Sequence, residues 1–188
     1  MSDAVSVLNG ASSEGLNKVS DAGLKGMITL KGDLTSEPMS KAVKSAVGLA
    51  MPASGECKTG AKGAVAWMAK DELMLFCDYA DADKMVEKLE KALKGEHFLA
   101  VNVSDARALF KIEGDHILDI LAKGTPTPLD GVVAGQFRRS RIGQIAAAFW
   151  MVSYSEAYIV CFRSVGEHMF AWLKTANNAE AALDLFSS

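Results

Sequence analysis

Between Met27 and Val103 the chain switches repeatedly between two hydrophobic periods, and a breaker residue marks nearly every switch. Met27, Thr29 and Lys31 alternate with Ile28 and Leu30, which is the period of a strand. Ser36 and Pro38 then set up an N-cap and a first helical turn. Met39, Ala42, Val43, Ala46 and Val47 repeat on one helical face, and Gly48 is placed to end it. Pro52 to Gly63 reads as a loop. Ala64–Met68 and Leu73–Cys77 read as a hairpin turning at Ala69 to Glu72. Asp81 opens a second helix, with Met85, Val86, Leu89, Ala92 and Leu93 on its apolar side and Gly95 as its stop. Phe98 to Val103 is an aliphatic strand, read as core. The order β-α-β-β-α-β is the split-βαβ, ferredoxin-like unit: an antiparallel sheet with both helices on one face.

A second unit begins near Asp105. Leu109 to Ile112 is strand-like, and a short helix carries Ile117, Leu118 and Leu121. Thr125-Pro-Thr-Pro128 forbids regular structure. A long strand from Ile142 to Val152 and a partner from Ala157 to Phe162 turn at Ser153 to Glu156, and a helix follows from about Val165 to Lys174. This is the same β-α-β-β-α order without its last strand. The predicted class is α+β, with two ferredoxin-like βαββα(β) units. Residues 1–23 are expected to be a flexible arm, 24–103 and 104–176 the two domains, and 177–188 an amphipathic tail helix.

Charge and composition then remove several function classes. The 20 Lys+Arg against 23 Asp+Glu leave a net charge of −3, so no general positive excess exists to displace counterions from a nucleic acid. The longest apolar run, Ile145 to Val152, is far below the roughly 20 residues a membrane helix needs. Residues 1–22 have neither the basic nor the apolar region of a signal peptide. Cys57, Cys77 and Cys161 are too few and too scattered for a disulfide framework, which fits the cytoplasm. No phosphate-binding or dinucleotide-binding glycine motif occurs. With 49% apolar residues, three Trp and nine Met, the chain carries apolar side chains in excess, which suggests a partner-covered surface.

Four groups of residues are candidates for chemistry or binding. His116 lies three residues before Asp119, as a carboxylate-held base would, or as an ordinary helix-start residue would. Asp105 and Arg107 form a charged pair that faces a pocket or serves as a strand-edge ion pair. Cys77 and Cys161 read as buried thiols, and Cys57 as a loop thiol beside Lys58. Arg138, Arg139 and Arg141 form the one basic cluster. It is either a contact for an acidic partner or a solvated loop leading into a strand.

Several segments resemble the gamma subunits of heterotetrameric sarcosine oxidase. They are Ile28-Thr-Leu-Lys-Gly-Asp-Leu34, Val101-Asn-Val-Ser-Asp-Ala-Arg107, Phe110-Lys-Ile-Glu-Gly114, Ile117-Leu-Asp-Ile-Leu-Ala-Lys-Gly124, Pro128-Leu-Asp130, Arg163-Ser164 and Trp172-Leu173. That family is related in fold to the folate-binding part of the glycine-cleavage T-protein. The resemblance implies a non-catalytic chain in a complex that demethylates sarcosine to glycine, producing hydrogen peroxide and formaldehyde or 5,10-methylenetetrahydrofolate. It implies alpha, beta and delta partners carrying FAD, FMN, NAD, zinc and tetrahydrofolate, with no catalytic residue, cofactor or metal on this chain. The small subunit of N-methylglutamate dehydrogenase is similar. A free-standing metabolite-binding domain and a folate-dependent transferase stand as readings of a different kind.

Overall fold

The computed structural model describes residues 4–183, 185 and 186. The chain forms two compact units, one of residues 25–105 and one joining 1–24 to 106–188.

The inner unit is a five-stranded antiparallel sheet with two helices. Its elements are β3 (Gly26–Gly32), α1 (Glu37–Val47), β4 (Cys57–Gly60), β5 (Gly63–Ala69), β6 (Glu72–Cys77), α2 (Ala82–Ala92) and β7 (Phe98–Asn102). The spatial order is β4-β5-β6-β3-β7. Without β4 this is the ferredoxin-like order, since the first and third strands lie side by side in the middle. Local chemistry fixes α1 at both ends. The Ser36 hydroxyl accepts the Met39 N–H at 3.3 Å, and Gly48, at φ 76°, donates its N–H to Lys44 O. Met39, Val43 and Val47 of α1 and Met85 and Leu89 of α2 bury against Ile28, Leu30, Val65, Leu73 and Leu75. The segment expected to be a loop from Pro52 to Gly63 contains β4, paired with β5.

The other unit contains β1 (Ser12–Glu14), β2 (Lys18–Asp21), β8 (Arg107–Glu113), α3 (Ile117–Ala122), β9 (Phe137–Ile142), β10 (Ile145–Ser153), β11 (Glu156–Phe162) and α4 (Gly166–Ala176). Its order is β1-β2-β8-β11-β10-β9. The strand missing from the second sequence unit is supplied by the N-terminal segment. β2 pairs antiparallel with β8, with Val19 opposite Ile112 and Asp21 opposite Phe110. In the inner unit β7 pairs antiparallel with β3 in the same way. The expected flexible arm over 1–23 therefore does not hold for residues 12–21. Its Ser, Asn and Gly content obscures a four-residue strand whose one core side chain is Val19, fully buried.

Two more expectations change. The long strand expected from Ile142 begins at Ile145, and the arginine segment before it, weighed as a solvated loop, is a strand of its own, β9. Gly143, at φ 57°, turns the chain between β9 and β10, a backbone region that favours glycine. The tail expected to be helical over 177–188 is, among its described residues, a single 3-10 turn at Ala179–Ala181, and residues 184, 187 and 188 lie outside the described residues.

Side chains, rather than strand length, anchor the N-terminal segment. The Asp21 carboxylate accepts from Ser6 Oγ at 2.6 Å and from the backbone N–H groups of Leu8, Gly10 and Gly23 at 3.0, 3.2 and 3.1 Å. Asn17 N–H donates to Asn177 Oδ1 and Asn177 Nδ2 donates to Asn17 O, both at 2.8 Å. The latter pair bonds the β1–β2 turn to the end of α4. A Cβ at Gly15 would lie 2.0 Å from Asn177 O, so the turn admits no side chain there. Asp21→Ala should cost about 1–3 kcal/mol, because three backbone donors lose their acceptor together. Chemical denaturation would check this. Stability equal to wild type would mean that residues 6–10 are not held by Asp21.

Candidate partner interface

The three arginines of the basic cluster lie on β9, at one edge of the six-stranded sheet. A strand sends successive side chains to opposite faces, so the cluster is divided. Arg138 is opposite Phe149, on the helix-covered face. Its guanidinium donates to Gln136 Oε1 at 2.7 Å and to Phe137 O at 3.1 Å. Arg139 and Arg141 are exposed on the other face, opposite Ala148 and Ala146. What sequence spacing presents as one patch is two exposed arginines and one folded back onto its own strand.

That second face also carries a row of side chains crossing four strands: Phe137, Trp150, Tyr158 and Lys111. Phe137 stacks on Trp150 with centroids 5.8 Å apart, and Trp150 on Tyr158 at 5.3 Å. Lys111 closes the row between two carboxylates, 2.7 Å from Glu113 and 3.4 Å from Glu156. The hydrogen bond from Lys111 holds the Glu113 carboxyl below its usual range, and the same bond raises the Lys111 ammonium. Burial raises the Tyr158 phenol.

The His116–Asp119 pair forms. Nδ1 lies 3.2 Å from Asp119 Oδ2. Asp119 is buried, and its other oxygen accepts the Leu185 N–H at 3.2 Å. The pair therefore ties the start of α3 to the C-terminal segment. Asp105 and Arg107 take separate partners. Asp105 accepts from the Tyr79 hydroxyl at 2.8 Å, while the Arg107 guanidinium sits 3.9 Å over the Phe162 ring. His97 and His168 are exposed. No group of three or more His, Cys, Asp or Glu among the described residues is placed to hold a metal ion. No helix among them is long and apolar enough to cross a membrane.

All three thiols are free and buried. Cys57, expected in an accessible loop, sits in β4, where burial pushes its pKa up to about 12. Burial also raises Cys77, and pushes Cys161 up to about 11. At pH 8 a disulfide reagent such as Ellman's should therefore find none of the three thiols in the native chain and all three after denaturation. Rapid labelling of any one in the native chain would contradict its burial.

Much of the apolar excess is buried. Met39, Met85, Met151 and Met169 lie in the two cores, and Met27, Met68, Met74 and Trp150 are buried outside them. The large apolar side chains that remain exposed are fewer and more local. Two of them, Leu99 at 50% and Val101 at 39%, lie on β7, the segment that the aliphatic run marks as core. A run without alternating polarity conceals that only Phe98 and Ala100 face the helices.

Comparison with known proteins supplies the family. The sequence profile of the "Sarcosine oxidase, gamma subunit family" matches residues 31–180. No curated protein matches the chain in sequence. Among solved structures, the chain is similar to a chain of the heterotetrameric sarcosine oxidase from Corynebacterium sp. U-96, crystallised in complex with pyrrole 2-carboxylate. The TM-score is 0.79 at 22% identity, covering 93% of this chain and 91% of that one. It is also similar to the glycine cleavage system aminomethyltransferase T from Bartonella henselae. There the TM-score is 0.60 at 15% identity, over 79% of this chain but only 43% of that one. At these identities the likenesses establish the fold, and the profile match over most of the chain establishes that it belongs to the sarcosine oxidase gamma subunit family.

Proposed function

We propose that this chain, a small subunit of a sarcosine oxidase by family, is the non-catalytic gamma component of a cytoplasmic four-chain flavoenzyme. Its partners are alpha, beta and delta subunits, and these carry FAD, FMN, NAD, zinc and tetrahydrofolate. The complex oxidatively demethylates sarcosine to glycine, forms hydrogen peroxide, and releases the one-carbon unit as formaldehyde or as 5,10-methylenetetrahydrofolate. The profile match over residues 31–180 carries this reading. The chemistry of the chain agrees with it. Its His–Asp pair holds a backbone segment, and burial keeps its thiols protonated. The likeness to the aminomethyltransferase spans less than half of that protein, so it does not recommend this chain as a transferase in its own right.

Co-expression with the alpha, beta and delta chains tests the reading. A tag on this chain should recover flavin-containing complex, while the chain purified alone should be colourless and should leave its Trp fluorescence unchanged on titration with tetrahydrofolate. Recovery of the chain alone from the co-expression, or saturable folate binding by the isolated chain, would overturn it. Arg139 and Arg141 are offered as contacts for an acidic partner surface, with Arg138 as their neighbour. Replacing Arg139 and Arg141 by Ala should weaken assembly and flatten its salt dependence, whereas Arg138→Ala should leave both near wild type. Assembly unaffected by the double replacement at every salt concentration would remove the arginines from the interface.

A further inference from the structure

Each sheet has two edges, and three of the four carry features that discourage strand addition. β1 is three residues long and ends on Glu14. β4 contains Lys58 and Gly60. β9 carries three arginines. Short length, charge and glycine are the devices by which proteins keep open edges from pairing with other chains. β7 has none of them. Its sequence is Phe98-Leu-Ala-Val-Asn102, with no charge, glycine or proline, and it ends the five-stranded sheet.

The ladder shows which backbone groups are open. Val103 N–H donates to Met27 O at 2.8 Å on one side of β3, and Gly32 N–H donates to Asp71 O at 3.0 Å on the other. In an antiparallel ladder alternate residues exchange both bonds with their partner. Leu99 and Val101, opposite Lys31 and Thr29, therefore bond to β3. Phe98, Ala100 and Asn102 turn their N–H and C=O groups outward. A five-residue row of open donors and acceptors results, with the half-exposed side chains of Leu99 and Val101 beside it on one face.

From this we infer that the β7 edge receives an extended segment of another subunit, which adds to the sheet as a sixth strand. Main-chain hydrogen bonds to residues 98, 100 and 102 supply the affinity, and apolar side chains at alternate positions of the incoming strand cover Leu99 and Val101. The inference rests on the reading of the chain as the gamma component of a complex. A complex with one alpha, beta, gamma and delta chain holds a single copy of this chain, so the occupant is a different subunit rather than a second copy.

Hydrogen exchange on the wild-type chain, free and assembled with alpha, beta and delta, tests this without any substitution. The amides of Phe98, Ala100 and Asn102 should slow by roughly tenfold or more on assembly, while those of Leu99 and Val101 are slow in both states. Ala100→Pro removes an outward donor and leaves the β3 ladder intact, so it should reduce recovery of the chain in the complex by roughly tenfold, whereas Ala100→Ser should not. A complex that forms with residues 98, 100 and 102 exchanging as fast as in the free chain would overturn the edge and leave the subunit reading standing. A wild-type chain that fails to assemble would overturn the subunit reading, and the edge with it. Protection in the free chain that grows with its own concentration would make a second copy the occupant and overturn the assignment to another subunit.

Discussion

The pairing of β2 with β8 is the constraint on which the outer unit depends. β8 sits inside its sheet, with β11 on one side and β2 on the other. Without β2, the backbone groups of Lys111 and Glu113 on that side would have no strand partner, and the core around Phe110 and Ile112 would lose Val19. Four residues of strand make few ladder bonds, so the pairing is reinforced from outside the ladder. Asp21 gathers the preceding loop, and the Asn17–Asn177 exchange fixes the β1–β2 turn to the end of α4. The outcome is a ferredoxin-like unit whose fourth strand precedes its first in the chain, with residues 25–105 inserted between them.

How legible each element is follows from where its determinants lie. The inner unit could be read because its signals are local: Ser36 and Gly48 cap α1, the heptad-like spacing of Met85 and Leu89 marks α2, and Ala69–Glu72 closes a hairpin. β2, β4 and β9 were not legible. They are short, and their outward positions hold Lys, Thr or Arg, so the apolar alternation contains at most two members. β9 was hidden further because apolar Ile142 lies close to the run that begins at Ile145, so that it reads as the start of that strand and the turn at Gly143 between them is passed over. Of the candidate residues, His116 and Asp119 were readable as a pair because three residues on a helix bring side chains together. The Asn17–Asn177 exchange joins residues 160 apart, and no sequence spacing announces it.

The same distinction applies to function. Residue types that suggest chemistry, such as a His–Asp pair, three thiols and an arginine cluster, are used here for tethering, for packing and along a sheet edge. The apolar fraction that suggests a partner-covered surface is in large part buried, much of it in two separate cores. What distinguishes the surface is local and geometric: an uncharged edge strand, and two arginines on one face of another.

The central structural claim is that the N-terminal segment is an integral strand of the outer unit. It is tested most directly by the exchange rate of the Ala22 amide, which donates to Leu109 O at 2.9 Å across the β2–β8 boundary, alongside the Asp21 amide, which donates to Ala11 O at 2.8 Å. If β2 folds and unfolds with its sheet, both amides exchange in the isolated full-length chain as slowly as those in the middle of β8. Exchange at the rate of an exposed loop, with β8 still protected, would show that the segment is an arm resting on the sheet, and that the unit stands without its fourth strand.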